Sequence, residues 1–318
     1  MRPVLSFAAC FPGQGSQSVG MLDAFAATYP EVRETFAEAS EAFGLDLWAL
    51  VSGGPKESLD QTENTQPAML VAEISVWRVW QAQGGAAPAL MAGHSLGEYA
   101  ALVAAGSLSL VDGVRLAAER ARLMQAAVPV GQGAMAAVLG LTDAQVMTAC
   151  AEAAQGGVVE AVNFNAPGQV VIAGDVAAVG RAVIAAKAAG AKRSLLLPVS
   201  VPSHCALMRP AATLLARRLE AVDLRLPEVP VLHNVDAAAA DSVAALRERL
   251  CEQLYRPVRW VETVQAMGAA GVSLAIEFGP GKVLTGLNKR CDKNITTLPV
   301  FDPETLTAAL EATADAQR

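Results

Sequence analysis

Residues 93–97, with the sequence GHSLG, place a candidate nucleophile between the small residues that a sharp turn needs. The segment fits the pattern G-x-S-x-G, in which a strained turn between a strand and a helix exposes the serine hydroxyl. A short apolar run at 89–92 precedes it, and a helix-like stretch at 98–105 follows it. A serine is a weak nucleophile at its ordinary pKa and must pass its proton to a base. The pattern therefore predicts a nucleophilic Ser95, the alternative being a serine that only caps a helix.

The base has to come from three histidines, His94, His204 and His233. His94 adjoins the serine, and adjacent side chains on a strand point to opposite faces, so a packed structural role is predicted for it. His204 follows a predicted strand, at the sheet edge where the active sites of α/β proteins gather. His204 is therefore the favoured base, while His233, which ends another predicted strand, remains the alternative.

The turn at 12–17, PGQGSQ, follows the first predicted strand, at 4–11. A dinucleotide fingerprint would need a third glycine at position 18, where this chain has serine, and no G-K-[ST] motif is present. What remains is a glycine-rich turn at the carboxyl end of a strand, where a backbone N–H can stabilise an oxyanion. A tight turn with no further role is the alternative.

Arg120 and Arg122 lie on a helix predicted to begin near Asp112 and to end before Pro129. Arginines on helices are mostly solvated. A guanidinium inside a cleft would instead offer two parallel donors to a substrate carboxylate. Both interpretations stay open from these residues alone.

The elements around these motifs predict an α/β fold. From about residue 133 the order is βαββαβ, with strands at 134–139, 158–164, 169–173 and 193–199 and helices at 142–154 and 176–189. This order is typical of a ferredoxin-like unit, and its ends fall inside the chain, so it is predicted to be inserted into a larger domain. The larger domain is predicted to contain a helix ending at Gly44, a helix beginning near Pro67, strands at 229–233 and 274–278, and a last helix capped by Asp302.

Composition excludes several classes of protein. Of 318 residues, 53% are hydrophobic and 17% charged, which is typical of a globular chain. The net charge of -7 argues against nucleic-acid binding. Apolar stretches are interrupted before the roughly 18 residues that a membrane span requires. The 5 cysteines are scattered without a C-x-x-C pair, so neither a disulfide framework nor a metal site is predicted, and a cytoplasmic location is expected.

Several separate motifs, taken together, resemble one family. They are FPGQGSQ at 11–17, TQPA at 65–68, GHSLGEY at 93–99, Arg120 with Met124 and Gln125, NFNAPGQ at 163–169, VSVPSH at 199–204 and GPGK at 279–282. In this order they resemble the malonyl-CoA:acyl carrier protein transacylases of bacterial type II fatty acid synthesis. The resemblance covers nearly the whole chain, and it implies a hydrolase-like large domain with a parallel sheet over 1–128 and 200–318 and a ferredoxin-like subdomain inserted at 129–199.

The resemblance also implies the role of each site residue. Ser95 matches the acylated serine, His204 its base, Gln14 and Leu96 the backbone donors to the oxyanion, Arg120 the ligand of the malonyl carboxylate, Gln253 the main-chain carbonyl that orients the histidine, and Gln66 a supporting residue. Ala121 departs from the family, which usually has glycine there. Leu96 and the VPSH form resemble the malonyl-selective members.

The implied reaction moves malonyl from malonyl-CoA to the phosphopantetheine thiol of acyl carrier protein through a malonyl-serine, with no cofactor, and a monomer is expected. One alternative is a serine esterase or thioesterase that uses water. A second is a malonyl transferase that serves a polyketide pathway, and a third is a non-catalytic malonate-binding module.

The carrier protein partner implies a docking surface. Carrier proteins of this family's systems are acidic, so a chain with net charge -7 needs a local basic patch. Two clusters qualify, Lys187, Lys192 and Arg193, and Lys282, Lys289, Arg290 and Lys293. The predicted docking residues are Lys192, Arg193, Lys289 and Arg290, the alternative being ordinary solvated charge.

Overall fold

The structure, a computed structural model, describes residues 7–199 and 201–317, with side chains described as far as residue 314. The described residues form nine strands. They are β1 (Phe7–Phe11), β2 (Leu90–Gly93), β3 (Gly133–Leu139), β4 (Val159–Ala166), β5 (Gln169–Asp175), β6 (Arg193–Leu196), β7 (Val231–Leu232), β8 (Leu274–Phe278) and β9 (Thr296–Val300).

Fourteen α-helices connect these strands within the described residues. They are α1 (Asp23–Thr28), α2 (Pro30–Phe43), α3 (Leu47–Gly53), α4 (Lys56–Leu59), α5 (Thr62–Ala82), α6 (Gly97–Ala104), α7 (Leu110–Ala127), α8 (Asp143–Ala154), α9 (Val176–Ala188), α10 (Arg209–Glu220), α11 (Val243–Glu252), α12 (Trp260–Ala269), α13 (Val283–Cys291) and α14 (Pro303–Gln317). No helix in this part of the chain is both long and apolar enough to span a membrane.

The larger sheet has five parallel strands in the order β7-β2-β1-β8-β9. The sheet is buried on both faces, as strand β1 illustrates. Its residues point alternately into two separate hydrophobic cores. Phe7, Ala9 and Phe11 pack in the core that contains α5, α6 and α7. Ala8 and Cys10 pack on the other side, with α12 and α13. A strand covered on both faces becomes uniformly apolar, as a parallel sheet between helices requires.

The smaller sheet is antiparallel, in the order β4-β5-β3-β6. One face packs on α8 and α9, where Val138, Val146, Ile172 and Val179 share a core. The opposite face places Met135 in a cluster with Cys205, the residue after His204. The predicted α/β class with a parallel sheet and a ferredoxin-like βαββαβ unit is confirmed. The boundaries at 128/129 and 199/200 stay a prediction, and Ser200 lies outside the described residues.

Several predicted bounds of helices and strands are wrong, and most of these errors occur next to a proline. Helix α5 begins at Thr62, so Pro67 lies inside it rather than at its start. Strand β7 is confined to Val231–Leu232, because Pro230 before it has no N–H to donate. Strand β6 ends at Leu196 rather than Val199, because Pro198 interrupts the ladder. The edge strand β9 was not predicted, and it too contains a proline, Pro299.

Register brings the two catalytic turns together. Phe11 at the end of β1 pairs with Gly93 at the end of β2, so the turns that follow them leave the same edge of the sheet. The predicted strand at 4–11 is described only from Phe7 onward. The smaller sheet reaches this edge as well, since Asn165 on β4 lies 2.7 Å from His94 in the turn after β2.

Candidate active site

Ser95 sits on the turn between β2 and α6 with a left-handed φ of 53°. A non-glycine residue in this region stores about 1–3 kcal/mol of strain and is typical of active sites. The turn requires glycine on both sides. A Cβ on Gly93 would lie 1.9 Å from the backbone of Gly97, and a Cβ on Gly97 would lie 2.2 Å from the carbonyl oxygen of Phe11. These close approaches explain the glycines of the GHSLG motif.

His204 faces the serine. Its Nε2 lies 2.8 Å from Ser95 Oγ, and its backbone also has a left-handed φ, of 66°. The other ring nitrogen, Nδ1, lies 2.6 Å from the main-chain carbonyl of Gln253. A carbonyl oxygen only accepts, so Nδ1 carries the proton and Nε2 presents its lone pair to the serine. The structure therefore brings Ser95, His204 and the Gln253 carbonyl together in the predicted arrangement.

The electrostatics of the site keep this histidine neutral. Burial, followed by the positive charge of Arg120, lowers the pKa of His204 to about 3. The hydrogen bond to the Gln253 carbonyl acts in the opposite direction. A neutral imidazole at pH 7 is the form that can accept the serine proton.

Arg120 is buried, with 1% of its surface exposed. Its guanidinium donates to the side-chain oxygens of Gln66 at 2.7 Å and Gln253 at 3.0 Å, and Nη2 also lies 3.3 Å from Ser95 Oγ. All three partners are neutral, and no carboxylate of the described residues lies within ion-pair distance of Arg120. The site therefore holds a buried positive charge beside the serine that no carboxylate of the described residues contacts directly, although Glu98 acts on it from farther away.

Arg122, the other candidate on α7, points away from the site. It forms an ion pair with Glu119 at 2.8 Å, and 54% of its side chain is exposed. The structure thus separates the two arginines that the sequence left open, one in the site and one on the surface.

Gln14 and Leu96 line the same cavity as Ser95, which has a volume of about 120 Å³. A Cβ on Gly13 would lie 2.7 Å from the carbonyl oxygen of His94, so the turn after β1 touches the turn after β2. Among the residues described, neither the Gln14 nor the Leu96 N–H donates to another backbone or side-chain group. Two free donors beside the serine are what an oxyanion site needs.

The two remaining histidines are held by other partners. His94 lines the cavity of Ser95, but its Nε2 contacts Asn165 Oδ1 at 2.7 Å, and its ring is tilted by 57° against that of Trp260. His233 is fully buried and pairs through Nδ1 with Glu98 at 2.8 Å. Neither ring contacts the Ser95 hydroxyl, so His233 is excluded as the base by its position.

Sequence reasoning missed the polar groups behind the serine. Asn234 accepts a hydrogen bond from the Ser95 N–H at 2.7 Å, and Glu98 accepts one from the Asn234 N–H at 2.8 Å. The available signals were an asparagine directly after a strand, and a glutamate on the first turn of the helix that follows the serine. Both patterns are too common to single out alone.

The predicted docking residues Lys192, Arg193, Lys289 and Arg290 are all exposed. Arg290 donates to the carbonyl of Pro167 at 3.0 Å, which joins α13 to the β4–β5 turn. Gly168 in that turn accepts from the Gly140 N–H at 2.8 Å, and a Cβ on Gly140 would lie 2.7 Å from the Lys192 side chain. Contacts through this turn therefore link Arg290 of one basic cluster to Lys192 of the other. The docking role of these residues stays a prediction, and Arg290 is in addition tied to the smaller sheet.

The fold and this geometry define an α/β enzyme built to form and break acyl esters. Residues 10–305 match the family model described as acyl transferase domain. The chain is 58% identical to the malonyl CoA-acyl carrier protein transacylase of Escherichia coli (strain K12), over 96% of this chain and 99% of that protein. It is 44% identical to the protein of the same name from Bacillus subtilis (strain 168), over 95% of each. The chain belongs to the acyl transferase domain family.

Solved structures of malonyltransferases are also similar to this chain in both fold and sequence. A type II PKS acyl-carrier protein in complex with its malonyl-transacylase gives a TM-score of 0.96 at 54% identity, covering 96% of this chain and 99% of that one. The acyl carrier protein S-malonyltransferase of Vibrio cholerae O1 biovar eltor gives a TM-score of 0.93 at 55% identity, covering 95% of this chain and 99% of that one.

The low pKa of His204 predicts a loss of stability in acid. Below about pH 6.5 the unfolded chain binds a proton at this histidine, whereas the folded protein does not until about pH 3. The free energy of unfolding should therefore fall, as pH drops from 6.5, by up to about 1.4 kcal/mol per pH unit from this residue. His204→Gln should show a shallower slope in urea unfolding between pH 4.5 and 7.5. Equal slopes in the two proteins would show that His204 is not held neutral.

Proposed function

We propose that this chain transfers malonyl from malonyl-CoA to the phosphopantetheine thiol of an acyl carrier protein, through a malonyl ester on Ser95. The observation that carries the proposal is the buried Arg120, 3.3 Å from Ser95 Oγ, with no carboxylate partner among the described residues. A buried cation without an anion is costly, and a malonyl carboxylate would supply the missing charge. The names of the relatives point to the same acyl group and the same acceptor.

In the first half of the reaction, His204 Nε2 removes the Ser95 proton as Oγ attacks the thioester carbonyl of malonyl-CoA. The carbonyl oxygen becomes an oxyanion, and the N–H groups of Gln14 and Leu96 stabilise it. The C–S bond then breaks, His204 returns the proton to the sulfur, and CoA leaves as the free thiol. Malonyl stays esterified to Ser95 with its carboxylate on Arg120.

In the second half, His204 removes the proton of the phosphopantetheine thiol, and the sulfur attacks the ester carbonyl. The C–O bond to Ser95 breaks, and His204 protonates the serine as the malonyl thioester leaves. These reaction steps use only the Ser95–His204 dyad, two backbone donors and one guanidinium. We expect it to need no metal or redox cofactor, and we expect the protein to act in the cytoplasm as a monomer.

An esterase or thioesterase would use the same serine and histidine with water as acceptor. Arg120 argues against this alternative, because a general hydrolase gains nothing from a buried cation that no carboxylate of the described residues contacts. His204 also donates its Nδ1 hydrogen bond to a main-chain carbonyl, whereas typical hydrolases of this shape place an acid there. Fatty acid supply is the proposed pathway. Comparing kcat/KM for carrier proteins of the fatty acid and polyketide types would separate the two pathways.

The first test is the covalent intermediate. Mixing the protein with malonyl-CoA should add the mass of one malonyl group, because the ester forms before an acceptor arrives. Ser95→Ala should show no added mass, and free malonate should appear far more slowly than the adduct. An adduct of the same mass on the alanine variant would overturn the assignment of Ser95, and rapid release of malonate would favour the hydrolase.

The second test concerns Arg120. Arg120→Ala should reduce kcat/KM for malonyl-CoA by roughly 100- to 3,000-fold, since an unpaired carboxylate in a closed site costs about 3–5 kcal/mol. Acetyl-CoA carries no carboxylate, so its much lower activity should change little. Arg122→Ala, two residues along the same helix, is the matched control and should behave as wild type. Equal losses for both acyl groups would mean that Arg120 maintains the structure only.

The third test addresses docking. Lys192→Glu combined with Lys289→Glu should raise KM for the carrier protein several-fold, because both lysines are exposed and each belongs to one of the two basic clusters that an acidic partner would meet. Acylation by malonyl-CoA should not change, and added salt should mimic the effect by screening beyond about 8 Å. Arg290 is left intact because it holds the β4–β5 turn. Arg225→Glu, on an exposed loop, is the control. Unchanged carrier-protein kinetics would place the docking surface elsewhere.

A further inference from the structure

We propose that Asn234 is a positioning residue that holds Ser95 in its strained backbone conformation. The Ser95 N–H donates to Asn234 Oδ1 at 2.7 Å, and Asn234 Nδ2 donates to the carbonyl of Gly93 at 2.6 Å. One side-chain amide therefore fastens the turn on both sides of the nucleophile. The inference rests on the proposed acylation of Ser95.

Asn234 is itself fixed from behind. Its N–H donates to Glu98 Oε2 at 2.8 Å, and its carbonyl accepts from the Arg259 N–H at 3.0 Å. The second oxygen of Glu98 lies 2.8 Å from His233 Nδ1, and Asn234, Glu98 and His233 are all 0% exposed. In this enclosure a flipped amide would place donor against donor and acceptor against acceptor. The orientation of the Asn234 amide is thus set by the groups that it meets.

The contact has a consequence for the reaction. The Ser95 N–H is committed to Asn234, so it cannot serve the oxyanion, which leaves that task to Leu96 and Gln14. Ser95 Oγ also has to stay 2.8 Å from His204 Nε2 while its backbone keeps a φ of 53°. A displacement of a reacting atom by about 1 Å can cost roughly 100-fold in rate. Loss of the Asn234 amide should therefore slow acylation without removing any group that touches substrate.

Asn234→Asp offers a sharp test because a carboxyl group can replace the amide only when protonated. Its ionised form could still accept from the Ser95 N–H but would face the Gly93 carbonyl without a proton to donate. The charged and titratable groups around it are Glu98 on α6, His233 beside β7, and Arg120 on α7, which interacts with Glu98. Burial and the Glu98 carboxylate favour the protonated form of an acid at this position.

The experiment measures the rate constant and the amplitude of Ser95 acylation by malonyl-CoA, by quenched-flow mass spectrometry between pH 5.5 and 8.5. The amplitude reports the fraction of protein that is folded and able to react. Asn234→Ala should reach the wild-type amplitude, with a rate constant about 10- to 100-fold lower at every pH. KM for malonyl-CoA should stay within about twofold, because Arg120 is untouched. Asn234→Asp should be faster than the alanine variant at pH 5.5 and should decline toward it as pH rises.

Asn288→Asp is the matched control. Asn288 is equally buried, with both amide ends in contact, and it accepts from the indole N–H of Trp260 at 2.9 Å, outside the catalytic dyad. This variant should lose thermal stability but show no acid-dependent acylation. A wild-type rate constant in Asn234→Ala, or an aspartate variant no faster than the alanine variant at any pH, would overturn the proposal. Failure of the proposed function would look different, as wild-type protein that forms no adduct.

Discussion

The positive charge of Arg120 is the constraint around which the site is arranged. A guanidinium removed from water needs hydrogen-bond partners, and the protein supplies only neutral ones, the side-chain oxygens of Gln66 and Gln253. The charge is therefore solvated locally but not neutralised, which leaves a strong preference for an anion in a cavity of about 120 Å³. The same charge helps to keep His204 unprotonated. Under the proposed function, the charge that would bind the acyl carboxylate thus adds to the effect of burial in keeping the base neutral.

Gln253 connects the three groups that must act together. Its main-chain carbonyl accepts from His204 Nδ1 at 2.6 Å, its side-chain oxygen accepts from Arg120 at 3.0 Å, and its Nε2 donates to the Ser95 carbonyl at 2.9 Å. The residue is fully buried at the end of α11. Since one residue fixes base, cation and nucleophile, movement of α11 would disturb all three at once.

Sequence patterns predicted the parts of this site that depend on local geometry. The glycines beside Ser95 could be predicted because steric contact in the turn allows no larger residue. The βαββαβ order could be predicted from the spacing of hydrophobic residues in strands and helices. The Ser95–His204 pairing was favoured from residue types, but the Gln253 carbonyl came from family resemblance, since a main-chain group carries no residue signature. Asn234 was missed because its contacts join segments more than 130 residues apart, and only the folded chain shows them. A buried polar residue whose partners are distant in sequence leaves no local pattern from which its role could be predicted.

The neutral carbonyl that orients His204 is compatible with the buried charge of Arg120 in a way that an acid would not be. An aspartate in that place would stabilise the imidazolium and raise the pKa of the histidine. It would also put a second charge close to the guanidinium, because the orienting group and the Arg120 ligand both belong to Gln253. An internal ion pair would then satisfy the cation and remove its need for a substrate carboxylate. A neutral carbonyl fixes the ring with Nε2 toward the serine without placing an anion against Arg120, which keeps its positive charge available for the proposed malonyl carboxylate.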